Sequence, residues 1–591
     1  MMSIKNLYNG WKGMACCTVV AAMTLTACSD WDDHFDANTS VLESQHSSLW
    51  QNIEKTGNLS QFASLLKKTG YDEQLSASQT FTVWAPVDDS FDYATLSNQS
   101  NDRITREFIE NHIARNNYPA SGQIEQSIYM LNEKKMLFSG SSQYDIQGVS
   151  LVSPNLSSCN NGTLHAIQGR LPFLSSIYES LVNFDDEIDS ISSYILSFDE
   201  KKIDETKSKK GPVTNGEQTY LDTVYYEHND LFDLHDSYIN KEDSSYTMIA
   251  PTNKAWDKAM ATINSYFNYV PEFEFIEKPA DSRVVEKVKI QDAVAMQDSI
   301  SKVVMISSLF YNNNIYDNKK LKNLKEGETL NCDSLVSTSR VKMYGEDAAD
   351  LFANTKRIEN SNGSLWVTTD DTLHMRTWTI WNPEIRLEAE YSNYWADYAS
   401  VNGEPDIKTV NKQNEEVLGT ISNNRYIEVE PASKSVNPEI FFYLPNVRST
   451  EYSVYVVFVP ANINSKYYAE PLKKNHLEFT FAYADEKGKM TEEVIKDIDT
   501  AVDTLQNVPG MTAKVDTTYV GDITFKTSYV GLYTSDQSYA PYMRIRSRVS
   551  SKQAATYDRT MRIDCIILRP KDLDNYIKAH PEYKYDRGLY N

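Results

Sequence analysis

Thr80-Phe-Thr-Val-Trp-Ala-Pro-Val-Asp-Asp-Ser-Phe91 decides the fold, because it recurs in weakened form as Tyr246-Thr-Met-Ile-Ala-Pro-Thr-Asn-Lys-Ala-Trp256. Thr80 to Ala85 alternates around β-branched and aromatic residues, the pattern of a half-buried strand. Pro86 has no N–H to donate and stops the ladder. Asp88 and Asp89 stand where a helix begins and can accept its orphan N–H groups, with Phe91 and Leu96 on its apolar side. In the second copy Thr247 to Ala250 is the strand, Pro251 the stop, Thr252 or Asn253 the cap, and Ala255, Trp256 and Met260 the buried stripe. A further element follows each copy: Asn161-Gly-Thr-Leu-His-Ala-Ile167 and Asn362-Gly-Ser-Leu-Trp-Val367. Each Asn-Gly reads as a tight turn needing positive φ that feeds a strand. One strand–Pro–cap–helix unit arises easily by chance; two, each followed by Asn-Gly-x-Leu, read as a duplicated domain.

These segments resemble the two signatures of the fasciclin-type (FAS1) family, Phe81 to Phe91 and Asn161 to Gly169, and Phe108-Ile-Glu-Asn-His-Ile113 resembles its mid-domain segment. The resemblance covers residues 40–175 and, more divergently, 176–382. The second copy has no obvious match for His112, Phe310-Tyr-Asn312 being the nearest segment, and it carries Leu365-Trp366 where the first has Leu164-His165. A polar insertion, about 201–216, reads as a mobile loop. The resemblance implies compact β-wedges with packed helices, used outside the cell for adhesion and for carbohydrate or protein contacts, without catalysis. His112 and His165 then read either as contact residues or as core residues that bond within the wedge.

Outward from the wedges, Lys5 and Lys12 precede the short apolar run Met14 to Leu25, which ends in Leu25-Thr-Ala-Cys28. The run is too short to span a bilayer and reads as a secretory signal over residues 1–27. Its ending resembles a bacterial lipoprotein cleavage box, which makes Cys28 the acylated first residue of the mature chain; an ordinary cleavage near Ala27 is the alternative. The acidic tether 28–39, with Ser29-Asp-Trp-Asp-Asp-His-Phe-Asp36, resembles the surface-export signal of Bacteroidota lipoproteins. The expected location is the outer membrane, lipid-anchored and facing outward.

The 591 residues carry 82 acidic against 58 basic side chains, a net charge of −24. That balance opposes nucleic-acid binding, which needs a basic footprint. Once Cys16 and Cys17 leave with the signal and Cys28 is acylated, Cys159, Cys332 and Cys565 remain, one per expected domain and too dispersed for a disulfide framework.

Beyond Pro383 the hydrophobic period becomes two. Ile385, Leu387 and Ala389 alternate with Arg386, Glu388 and Glu390, and strands are expected near 426–430, 440–444, 452–459, 477–483, 523–530, 542–549 and 561–568. The fold class expected is thus multidomain, α+β and all-β: two FAS1-like wedges, then a jelly-roll-type β-sandwich over 383–571 and a short tail over 572–591. Leu387-Glu-Ala-Glu-Tyr391 faintly resembles the first strand of carbohydrate-binding-module sandwiches. Trp395, Tyr533 and Tyr539, with Tyr394, Tyr398 and Tyr542, are aromatic candidates for stacking on sugar rings. Arg544, Arg546 and Arg548 share one strand face and suit an anionic sugar or, equally, pairing with nearby acids. No Gly-x-Ser-x-Gly, His-Glu-x-x-His or Walker loop is present, and the nine histidines are scattered, so neither metal ligands nor a cofactor are assigned. The expected function is non-catalytic binding of a surface glycan or extracellular protein. An accessory role in a TonB-dependent uptake complex, beside the transporter and its lipoprotein partner, is the alternative, and a glycan-acting sandwich is a third reading.

Overall fold

The computed structural model describes residues 47–585 apart from 185, 207, 215, 224, 278–284, 391–398, 403–404, 465, 467–471, 502–512, 533–538 and 584. Cys28, Trp395 and Tyr533, with Tyr394 and Tyr398, lie outside the described residues. In the first wedge, seven strands among the described residues form one curled sheet, ordered 113–115, 81–86, 162–167, 149–159, 144–146, 135–140 and 124–129. All neighbours run antiparallel except Phe81–Pro86 and Gly162–Ile167, which run parallel. The first signature strand is buried along its whole length, not on one face. Phe81, Val83 and Ala85 pack under the helices Leu49–Lys55 and Ser60–Thr69. Trp84 points the other way, into a second cluster with Met136, Phe138, Ile146 and Ile167 inside the curl.

The second wedge repeats this centre. Its sheet runs 310–312, 246–250, 363–368, 355–360, with Tyr246–Ala250 parallel to Gly363–Thr368. Phe81 sits opposite Gly162 and Tyr246 opposite Gly363. Both glycines take φ near +142°, and a Cβ on either would fall inside the carbonyl oxygen of Phe81 or Tyr246. Glycine is therefore required by close approach of two backbones as well as by conformation. The preceding asparagine is more than a turn residue. Asn161 Oδ1 accepts from Leu49 N at 2.7 Å, and its Nδ2 donates to Leu75 and Ala77 carbonyls at 2.8 and 2.7 Å. Asn362 does the same with Ile177 N at 2.9 Å and the Ile239 and Lys241 carbonyls at 2.6 and 3.0 Å. In each copy one buried amide ties the first helix and a distant loop to the sheet.

Matching registers pair the rest of the two copies. Val83 faces Ile113 and Met248 faces Phe310, so the position of His112 is taken by Leu309. Trp84 lies opposite His165, whereas Ile249 lies opposite Trp366, so the large ring has moved to the partner strand and the volume is kept. The acidic cap also acts at a distance. Asp88 accepts from Ser60 and Gln61 N–H groups at the start of the Ser60–Thr69 helix, and Asn253 Oδ1 accepts from Ser190 N at the start of Asp189–Leu196. The local helices are capped by Asp92 and Thr252 instead.

Two segments depart from expectation. The insertion is strand, not loop: Asp199–Ile203 pairs with Tyr225–Asn229, and Lys209–Thr214 with Glu217–Asp222, forming a two-stranded arm. These strands are exposed at nearly every position, so no period-two pattern marks them in the sequence. Residues 284–304, whose apolar residues separated by charges predict a helix, begin instead with the strand Val285–Lys289, paired with Glu272–Ile276, and the helix starts only at Ala293. The tail forms the helix Lys571–Ala579, docked through Leu573 and Asp574. No helix among the described residues is long and apolar enough to cross a membrane.

Buried charge joins the wedges. Lys134 Nζ lies 2.6 Å from Glu179 and 2.5 Å from Glu242, with side-chain exposures of 5, 9 and 7%, and donates to Ser361 Oγ at 3.0 Å. Arg106 completes the cluster at 2.5 Å from Glu179. Burial alone would raise the Glu179 pKa, but Lys134, the Ser176 N–H and Arg106 hold it below its ordinary value. The second wedge and the sandwich share one continuous core. Phe273 and Phe275 of the 272–276 hairpin strand meet Tyr529 and Tyr539 edge-on at 5.8 and 4.6 Å, and Tyr443 Oη donates to the Glu277 carbonyl. The sandwich itself has two sheets, one ordered 406–411, 425–430, 561–570, 451–458, 516–524 with 385–388 added on 561–570, the other 399–402, 439–443, 542–547, 474–484, 490–499.

Gly162→Ala and Gly363→Ala are each expected to destabilise the full chain by about 2–4 kcal/mol in urea unfolding. Gly57→Ala, where a Cβ meets nothing within 4 Å, is expected to stay within about 0.5 kcal/mol. Equal stability of all three variants would refute the close-approach account. Lys134→Met leaves two buried carboxylates without their shared cation and is expected to cost about 3–5 kcal/mol. Limited proteolysis near residues 171–176 reads the loosened junction, and unchanged cleavage would count against it.

Candidate functional site

The two signature histidines face inward. His112 is fully buried, donates from Nδ1 to the Phe108 carbonyl at 2.6 Å and accepts at Nε2 from Leu171 N at 2.9 Å. His165 is equally buried, accepts at Nδ1 from Asn155 N and donates from Nε2 to the Tyr118 carbonyl, both at 2.9 Å, and stacks on Trp84 at 5.6 Å. Each ring has one donor and one acceptor engaged, which sets its tautomer and requires the neutral form. Burial lowers their pKa values to about 3 and about 4. Neither ring reaches the surface, so an outside partner of the first wedge would touch other residues.

On the sandwich, Tyr542, Arg544 and Arg546 share the outer face of strand Tyr542–Ser547, while Met543 and Ile545 fill the core. Arg546 sits in register between Glu439 and Glu478, and its Nε is 3.7 Å from Glu439. Arg544 bonds Thr480 Oγ1 at 2.7 Å and lies 3.6 Å from Glu478, and Arg548 lies 3.2 Å from Glu478. The three cations thus form a cross-strand ladder with two buried acids. Tyr542 is covered by Ile276 and Phe441, and Tyr539 is half-buried against Phe275. The second wedge therefore occupies the ground that these two tyrosines would offer a sugar.

A group of acids at the first sandwich strand has no counterpart in the sequence reading. Glu388 faces Cys565 across the ladder, which brings Glu388 and Glu390 to Asp564. Asp564 is fully buried and accepts only from Ser422 N, at 3.1 and 3.3 Å. Glu390 accepts from Asn423 Nδ2 at 2.8 Å and Glu388 from Arg386 Nε at 2.6 Å, while the buried Oε2 atoms of both glutamates have no hydrogen-bond partner among the described residues. Burial, then repulsion by Glu388 and Glu390, pushes Asp564 up to about 8. Three carboxylates beside one guanidinium leave excess negative charge in a dry site. A proton on Asp564 discharges it. The Glu-x-Glu alternation of the first strand and the isolated Asp564 in an apolar last strand were the visible signals. His228, Asp230 and Asp233 also approach one another within 4.8 Å, on the surface, but Lys202 already lies 2.8 Å from Asp230.

An acid whose folded pKa exceeds its unfolded value loses stability as pH rises between the two. Asp564 is expected to lower the melting temperature between about pH 4 and pH 8 relative to an Asp564→Asn variant. Identical pH responses of the two proteins would refute this account of the cluster.

Residues 57–171 match the family model of the fasciclin domain. No curated protein matches the chain in sequence. Among solved structures, the chain is similar to a FAS1 domain pair from the insect cell adhesion molecule Fasciclin I, at 13% identity over 55% of this chain and 99% of that one, with a TM-score of 0.18. It is similar also to the C-terminal family 22 carbohydrate-binding module of Clostridium thermocellum Xyn10B, at 10% identity over 32% and 94% with a TM-score of 0.18. The CBM22-2 xylan-binding domain of Paenibacillus barcinonensis Xyn10C matches at 7% identity over 31% and 98%, also with a TM-score of 0.18.

Proposed function

We propose that this chain is a non-catalytic binding protein, held by an acylated Cys28 at the outside of the outer membrane, in which two wedges carry a β-sandwich that takes a surface glycan or an extracellular protein. The observation that supports it most is mechanical. The sandwich is not strung on a linker: its core continues into the second wedge, and Lys134 ties that wedge to the first. Such a body transmits load and presents its far end at a fixed angle, which suits attachment. The inward-locked histidines and the fasciclin-domain match fit a scaffold rather than a reaction centre.

One feature favours a protein partner, and with it the accessory role beside an outer-membrane transporter and its lipoprotein. The ladders 199–203 with 225–229 and 209–214 with 217–222 carry exposed Ile203, Val213, Leu221, Tyr225 and Tyr226. A two-stranded ribbon is marginal alone in water and gains from a covering surface.

Mass spectrometry of the native protein is expected to show a mature chain beginning at a lipid-modified Cys28, and surface proteolysis of whole cells is expected to degrade it. An unmodified Cys28, or full protection in intact cells, would refute the anchored reading. Glycan-array and co-purification experiments on the full chain in detergent then separate glycan from protein partners. Absence of both would refute the binding reading.

A further inference from the structure

The sandwich end opposite the hairpin contact carries a cleft with unusual electrostatics for this chain. Loops 431–437 and 548–559 meet beyond the strands Glu439–Tyr443 and Tyr542–Ser547, where Ser547 N donates to the Pro438 carbonyl. Between them lies a shallow, open depression of about 390 Å³ lined by Ser433, Lys434, Ser435, Ser551, Ala554 and Arg559. The lining contains no carboxylate.

Arg559 builds the cleft. Its Nε donates to Asn437 Oδ1 at 3.1 Å, Nη1 to the Lys434 carbonyl at 2.8 Å and Nη2 to the Val549 carbonyl at 2.9 Å. One guanidinium thus clamps both loops. All three acceptors are neutral, so its charge is held in place without being cancelled, and two of its five N–H groups remain for a ligand. The surrounding cations behave differently. Arg546 and Arg548 meet Glu439 and Glu478, Arg562 meets Glu428 at 2.9 Å, and Lys474 meets Asp499 at 2.9 Å. Among the described residues, neither Arg559 nor Lys434 has an acidic partner. In a chain with 82 acids to 58 bases, two unneutralised cations sharing one cleft reverse the local sign of the surface. The serines add hydroxyl donors, Ser433 and Ser435 lying 3.2 Å apart, and the Ser550–Gln553 turn presents Ser551.

A depression that presents two cations without acidic partners beside hydroxyl groups complements an oxyanion. We propose that it binds the anionic group of a charged saccharide, a sulfate ester or a uronate carboxylate. The proposal rests on the reading of the sandwich as the ligand-binding part and narrows it to acidic glycans.

Titration calorimetry on the full chain in detergent tests this with a sulfated polysaccharide, a polyuronate and a neutral xylan, each in 0.1 M salt. Wild type is expected to bind at least one anionic polymer about tenfold more tightly than xylan, with inorganic sulfate competing against the sulfated arm and the two arms telling sulfate from carboxylate. Lys434→Glu changes only an exposed side chain, since the Arg559 clamp uses its carbonyl, and is expected to weaken anionic binding about tenfold or more while xylan is unchanged. Lys258→Glu, on a wedge helix, controls for net charge and is expected to have no effect. Equal loss in both variants, or no loss in Lys434→Glu, overturns the proposal. Binding of xylan without preference for acidic polymers overturns it too but leaves the glycan-binding reading standing, and failure of every polymer refutes both.

Discussion

The backbone of Gly162 lying against the carbonyl of Phe81, and its copy at Gly363 and Tyr246, is the constraint from which both wedges follow. Two parallel strands can approach so closely only without a Cβ, and that approach sets the register of both signature strands. The preceding asparagine then spends its whole side-chain amide on internal bonds, joining the first helix and a loop to the sheet. Asp88 and Asn253 add a second tie by capping a helix from an earlier part of the chain. Each wedge is thus held by one buried asparagine whose amide is fully satisfied and one half-buried cap, which together specify one arrangement.

Joining the domains uses different physics at each junction. Between wedges it is charge, with Lys134 shared by two carboxylates. Between the second wedge and the sandwich it is apolar area, with the 272–276 strand laid on aromatic side chains and Arg448 donating to the Trp381 carbonyl over Phe267. The tail closes the same junction: Tyr583 Oη donates to Asp347 and accepts from Trp378 Nε1. These contacts explain why Tyr539 and Tyr542 are structural in the folded chain. They were apolar enough to serve as a sugar platform, and another part of the protein covers them first.

Charge on the sandwich is sorted by depth. Exposed and half-exposed arginines of the 542–547 strand neutralise acids buried beside them. At the first strand the balance is inverted, with three carboxylates against Arg386, and Asp564 is pushed toward its neutral form. At the loop end the balance inverts again, and Arg559 is fixed by neutral acceptors. A net charge of −24 describes none of these places, because local pairing decides what a ligand meets.

The duplication was legible in the chain because close backbone approach demands glycine at Gly162 and Gly363, which no packing can replace. The sandwich was legible as period two in its first strand and as strand-length apolar runs such as 451–458 and 561–570, which the fold buries on both faces. What stayed hidden was every pairing between segments remote in sequence. Leu309 stands where His112 stands, and Trp366 supplies bulk that Trp84 supplies across the ladder, because a core conserves volume and not residue identity. The helix that Asp88 caps and the acids that meet Arg544 to Arg548 followed the same rule. Sequence alone determined which backbone conformations were compulsory; the tertiary structure decided which side chains were consumed in holding it together and which were left facing water, because burial is a property of the assembled surface and not of any one segment.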